Sequence, residues 1–194
     1  MSSFRQKFTR FLYPLIMKLS KAGPNGQVLA SPAPAAPPHS FYQLGGQLSG
    51  GQPLDFASLR GKQVLLVNTA SGCGYTSQYA ELQQLAERYP EQLVVLGFPA
   101  NDFAGQEKAD DVTIQQFCQL NFGVSFPLLK KSVVVRQPGQ NPVYQWLTDP
   151  AQNGWNQQPP VWNFAKYLVD EQGRLRAYFG PAVSPLSEAV TRYL

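Results

Sequence analysis

The chain is poor in the side chains that most often carry catalysis. Its 194 residues include one histidine, His39, and two cysteines, Cys73 and Cys118. Two cysteines are too few for a disulfide scaffold of this size. With a single histidine they cannot supply a four-ligand structural zinc site either, so neither a metal nor a cofactor is expected. His39 lies in the proline-rich stretch "SPAPAAPPHS", outside the expected fold, which argues against a Cys–His or Ser–His catalytic pair. Acidic residues are absent from residues 1–54, which carry five basic ones: Arg5, Lys7, Arg10, Lys18 and Lys21. The net charge of +4 therefore belongs to the N-terminal extension, and the rest is nearly neutral. No basic stripe interleaved with aromatics runs through that body, so a nucleic-acid partner is excluded. Charged residues make up only 14% and hydrophobic residues 43%, which is a globular composition and not a disordered one.

Long apolar runs are also missing. In residues 4–19, "FRQKFTRFLYPLIMKL", the uninterrupted run is "FLYPLIM", broken by Pro14 and closed by Lys18. A membrane span needs roughly 20 apolar residues. The basic and apolar mixture instead predicts peripheral contact with a membrane surface, with a signal peptide, a transit peptide and a disordered basic tail as the alternatives. Proline stiffens residues 22–40, which read as a linker. The expected organisation is thus an N-terminal extension over 1–21, a linker over 22–40 and a folded domain over 41–194, in a protein that is cytoplasmic or associated with a membrane through its extension.

What is present is an alternation of strands and helices. Short pieces with glycine turns after Phe41 suit an N-terminal β-hairpin. "VLLVNTA" and "LVVLGFPAN" are continuous apolar runs of strand length, as in strands buried on both faces. Between them Tyr79, Leu82, Leu85, Ala86 and Tyr89 recur at helical spacing, with Thr76 or Ser77 as the cap. Asp110 or Asp111 opens a second helix that Gly123 stops. "PLLKKSVVV" reads as a further strand and "NPVYQWLT" as a short helix with Pro142 in its first turn. "NFAKYLVDEQGRLRAYFG" is a hairpin, and "SPLSEAVTRYL" a closing helix capped by Ser184. The sum is an α/β fold with a central mixed sheet flanked by helices.

Cys73, in "NTASGCGYT", falls where the first buried strand turns into a helix. In open α/β sheets ligands bind at that rim. The free N–H groups and dipole of a helix N-terminus favour a thiolate, and Gly72 and Gly74 leave room for a substrate. A buried packing cysteine is the competing reading. Cys118 lies in the second helix, near Ile114 and Phe117 on one face; it is either a packing residue or a resolving thiol. A resolving role would require the helix to unwind, since a disulfide needs its Cα atoms within roughly 7 Å. Without histidine a thiolate needs neutral donors, and the candidates are Gln106 in "AGQE" and Trp162 and Asn163 in "VWNF".

These segments, taken together over residues 41–194, resemble the glutathione peroxidase family. "VLLVNTASGCGYTSQYAELQQL", "VVLGFPANDFAGQE" and "WNFAKYLVDEQGRLRAYFGP" are similar to its three signatures, in order and with suitable spacing. The resemblance implies a thioredoxin-like fold and reduction of hydrogen peroxide and organic or lipid hydroperoxides. It implies that Cys73 is peroxidatic and that Gln106, Trp162 and Asn163 complete its tetrad. It also implies that Cys118 is the resolving thiol and a thioredoxin-type protein, rather than glutathione, the reductant. The chain departs from many relatives in having Cys73 where animal members carry selenocysteine, and Ala100 in "FPAN". Only a short loop fits between Trp146 and Trp162, where tetrameric relatives have an insertion, so a monomer or loose dimer is expected. Two rivals stay open: a peroxide-sensing redox relay using the same disulfide, and a thioredoxin-like oxidoreductase. The second is disfavoured by Thr76 at the position a C-x-x-C motif would give to cysteine.

Overall fold

The computed structural model describes residues 23–33 and 35–194. The N-terminal stretch 4–19, expected to meet a membrane surface, lies outside the described residues. Among the described residues no helix is long and apolar enough to cross a membrane. Strands β1 (Val28–Ala30), β4 (Gln63–Thr69), β5 (Leu93–Pro99), β6 (Lys166–Val169) and β7 (Leu175–Phe179) form a mixed sheet in the order β1-β7-β6-β4-β5. β4 is an interior strand, parallel to β5 and antiparallel to β6. β2 (Gly45–Gln47) and β3 (Pro53–Asp55) make a separate N-terminal hairpin.

The strand period of two divides the core. Val64, Leu66, Leu96, Phe98, Tyr167 and Tyr178 face one cluster, where Phe41, Phe56 and Trp146 cover them. Leu65, Val67, Val95, Leu168 and Phe179 face the other, beside Cys73 and Cys118. Helices α1 (Gln78–Arg88) and α2 (Asp111–Phe122) cover that second face with Tyr79, Leu82, Leu85 and Ile114. α3 (Pro142–Thr148) packs on the first face, capped by the Asn141 side chain and with Pro142 at its start. Two short helices, α4 (Pro150–Asn153) and α5 (Glu188–Thr191), follow them in the described residues. α2 is bounded as its sequence indicates: the Asp110 carboxylate accepts from Thr113 N at 2.8 Å, and Gly123 ends the helix at φ 65°.

Three local expectations change. "PLLKKSVVV" forms isolated bridges through Leu128, Leu129 and Val133, not a strand. Side chains take the backbone donors a ladder would use: Asp111 accepts from Lys131 N and Asp102 from Val134 N, each at 2.7 Å. The closing helix is only Glu188–Thr191, because Ser184 Oγ instead serves a turn at Leu186 N and donates to Glu81. Inside the stretch read as a linker, Val28–Ala30 pair with Phe179–Ala177 as an edge strand.

That edge strand is fastened where Gly180 N donates to Gln27 O at 2.8 Å and Ala182 N to Asn25 O at 2.7 Å. The approach requires glycine: a Cβ at position 180 would lie 2.7 Å from Pro24 O. Gly180→Ala is therefore expected to destabilise the fold by about 1–3 kcal/mol, read as a lower Tm together with faster proteolysis in the segment before Ser31. Unchanged proteolysis there would show that the edge strand does not depend on this contact.

Lys166 is a charged residue type in the middle of an apolar hairpin, and it is wholly buried. Its Nζ donates to Phe164 O at 2.8 Å and Val183 O at 2.7 Å, tying the start of β6 to the C-terminal segment. Burial pulls its pKa down from 10.5 to about 7, against the attraction of Glu81. Above pH 7 the unfolded chain holds a proton that the folded chain lacks, so stability rises with pH in that window. Cys118, whose folded pKa is raised from 9.0, acts in the opposite sense only above that value. The Tm of the wild type is expected to rise between pH 7 and pH 9, and that of Lys166→Met to stay flat. Parallel profiles for the two proteins would show that Lys166 stays charged when folded.

Candidate active site

β4 ends at Thr69, and Ala70–Ser77 carry the chain into α1. Within this loop Thr76 works locally. Its Oγ1 accepts from Cys73 N at 3.1 Å, and its single proton serves Ala70 O or Cys73 O, at 3.0 and 2.7 Å. Neither Thr76 nor Ser77 caps α1 as expected; Ser77 holds the cap position without a side-chain bond. Thr76 instead closes the loop around the cysteine, whose sulfur accepts from Tyr75 N at 3.5 Å. Cys73 is 8% exposed, so the sulfur is nearly covered but not sealed.

The second segment follows β5. Ala104 and Gly105 both take left-handed backbone conformations, φ 54° and 62°, which turn the chain back toward the Cys73 loop. Gly72 N then donates to Gln106 O at 3.0 Å. A Cβ on Gly72 would stand 3.1 Å from that oxygen, closer than ordinary contact, so the two segments approach tightly here. Next to it, Glu107 Oε2 accepts from both Ser71 N at 2.7 Å and Ser71 Oγ at 2.9 Å. The Glu107 N–H is fixed by Asn101 Oδ1 at 2.9 Å. Burial pushes the Glu107 pKa up, and the Ser71 bonds partly offset this.

The third segment precedes β6. Asn68, buried on β4, holds it twice: Nδ2 donates to Trp162 O at 3.0 Å, and Asn68 O accepts from Phe164 N at 2.6 Å. Phe164 sits at φ 67°, the second non-glycine residue of the described chain in left-handed backbone, and its carbonyl is the one bound by Lys166. Asn163 is thereby wholly buried, and its Nδ2 donates to Gln106 Oε1 at 2.9 Å. This leaves the Gln106 amide hydrogens uncommitted to Asn163. The Trp162 ring packs against the cluster that contains Cys73 and lies 5.6 Å from the Phe103 ring, centroid to centroid.

The structure thus joins Gln106 to Asn163 through their side chains and Gln106 to the Cys73 loop through the backbone. Trp162 enters through its carbonyl on Asn68. Cys118 is set apart: it is fully buried in the middle of α2, and both cysteines are free thiols. Burial, reinforced by the Glu107 carboxylate and opposed by the Tyr79 hydroxyl, pushes its pKa up to about 11. Reading the sequence by reactive type overlooks Asn68, Ser71, Glu107 and Lys166. Signals for them exist: a polar residue closing an apolar run, an acid beside Gln106, and a lysine inside a buried strand.

Comparison with known proteins adds an independent line. A family model described as glutathione peroxidase matches residues 41–148. A glutathione peroxidase-like peroxiredoxin of Saccharomyces cerevisiae is 41% identical over 157 residues, covering 79% of this chain and 96% of the yeast protein. One of Chlamydomonas reinhardtii is 44% identical over 150 residues, covering 77% of this chain and 91% of the algal protein. The crystal structure of T. cruzi GPX1 superposes with a TM-score of 0.62 at 28% identity, over 80% of this chain and 94% of that one. A thiol:disulfide interchange protein of the thioredoxin family from Chlorobium tepidum does so at 0.54 and 17% identity, over 84% and 97%, a likeness of fold alone. The fold is therefore thioredoxin-like. On three converging segments around Cys73, a matching family model and relatives above 40% identity, this chain belongs to the glutathione peroxidase family.

Proposed function

We propose that the protein is a thiol peroxidase that reduces hydroperoxides at Cys73 and is returned to its dithiol form by a thioredoxin-type protein. The observation that carries the reading is the pair of bonds that assembles the site, Gly72 N to Gln106 O and Asn163 Nδ2 to Gln106 Oε1. They support a reading in which Gln106 and Asn163, from two distant segments, serve a nearly covered cysteine without an imidazole. In the first step the Cys73 thiolate attacks the distal oxygen of ROOH. The O–O bond breaks, sulfur is oxidised to a sulfenic acid, and the alkoxide leaves as ROH after taking a proton. In this reading the Gln106 and Asn163 amides and the Trp162 indole are the donors that favour the charge moving onto oxygen.

In the second step Cys118 attacks the sulfenic sulfur, an S–S bond forms and the oxygen leaves as water. A dithiol reductant then exchanges with that disulfide and takes up the oxidation. Cys118 is fully buried in the middle of α2 and is a free thiol, so in this reading the helix opens before the second step. Its anchoring supports this: Ile114 and Cys118 are the buried residues among its twelve, whereas α1 buries five of eleven. An element with so little burial opens locally at low cost.

The test is peroxide-dependent NADPH oxidation coupled to thioredoxin and its reductase, with glutathione and its reductase as the comparison. Cys73→Ser is expected to fall to background, and undiminished turnover would overturn the assignment. Cys118→Ser is expected to lose thioredoxin-coupled turnover while still forming one dimedone-trapped sulfenic acid per chain. Full turnover in that variant would return Cys118 to packing.

A further inference from the structure

We propose that Glu107 is a positioning residue for Cys73, fixing the loop that carries this thiol through its two hydrogen bonds from Ser71. The proposal deepens the peroxidase reading and rests on it for the role of Cys73. Glu107 is 1% exposed. Together Gln106 and Glu107 grip Ser71 and Gly72 with three hydrogen bonds: Gly72 N to Gln106 O, and Ser71 N and Oγ to Glu107 Oε2. The gripped residues immediately precede Cys73, so the height and direction of the sulfur follow from this clamp.

The clamp is itself supported. The Glu107 N–H donates to Asn101 Oδ1 at 2.9 Å, which fixes the backbone that carries the carboxylate. Glu107 takes part in neither of the ion pairs among the described residues, both of which belong to Asp170. Burial disfavours its charged form, and the two Ser71 bonds favour it. The Ser71 contacts are thus what holds the carboxylate in place, and the carboxylate what holds Ser71.

The experiment uses the reduced full-length chain and follows Ser71 amide exchange together with the rate of Cys73 oxidation by hydrogen peroxide. Glu107→Gln keeps an acceptor oxygen for Ser71, so protection and oxidation rate are expected to stay within about two-fold of wild type. In Glu107→Ala, Ser71 loses protection and Cys73 oxidation slows by about ten-fold. Ser71→Ala is expected to slow Cys73 oxidation as well. Wild-type oxidation of Cys73 in a folded Glu107→Ala, or equal slowing in Glu107→Gln and Glu107→Ala, overturns the proposal. If Cys73 of the wild type itself resists peroxide, the peroxidase reading fails, and Ser71 exchange still decides whether Glu107 holds the loop.

Discussion

The hydrogen bond from Gly72 N to Gln106 O ties the turn after β4 to the turn after β5. Two strands that run parallel leave their carboxyl ends side by side, and whatever the two exits carry must share that rim. Here one exit carries a sulfur and the other an amide and a carboxylate. The third segment leads into the antiparallel neighbour β6 and is held by Asn68 on β4. β4 therefore organises all three segments. Its apolar residues lock it between two cores, and its last polar residues distribute the hydrogen bonds that shape the site.

This division explains what could be read from the sequence. Burial leaves a pattern, so the strands "VLLV" and "LVVLGFP", the period of α1 and the caps of α2 were legible. The hairpin around Gly173 was legible from its turn. Elements whose backbone is satisfied by side chains from far away were not. Lys131 and Val134 have strand-like neighbours, but their N–H groups go to Asp111 and Asp102. Val28–Ala30 follow a glycine turn and precede a proline run, and only the unpaired edge of β7 makes them a strand. Of the site, reactive types and their family pattern pointed to Cys73, Gln106, Trp162 and Asn163. The residues that hold them, Ser71, Glu107, Asn68 and Lys166, are defined by contacts that no local period encodes. Thr76 or Ser77 was read as the cap of α1, whereas the Thr76 hydroxyl accepts from Cys73 N within the loop.

The two helices on the second face differ in a way that suits their cysteines. α1 is pinned by Tyr79, Leu82 and Leu85, so the loop feeding it is rigid and the Cys73 backbone is held from both sides. α2 rests on Ile114 and Cys118 and leaves Val112 and Leu120 exposed. One thiol stands on the firm element and the other on the loose one. For chemistry in which the first sulfur must present fixed geometry to a small oxidant and the second must travel, that distribution is the productive one.

The edge strand β1 has a bearing on how the molecule behaves in company. Strand β7 would otherwise end the sheet with a row of unpaired N–H and C=O groups beside buried Tyr178 and Phe179. Exposed edges of that kind recruit strands from other chains. The match to the family model begins at Phe41, so a protein begun at that residue and otherwise whole would lose β1 and the cover over Gly180. Such a fragment would keep every residue of the site and gain an adhesive border, with self-association rather than lost chemistry as its defect.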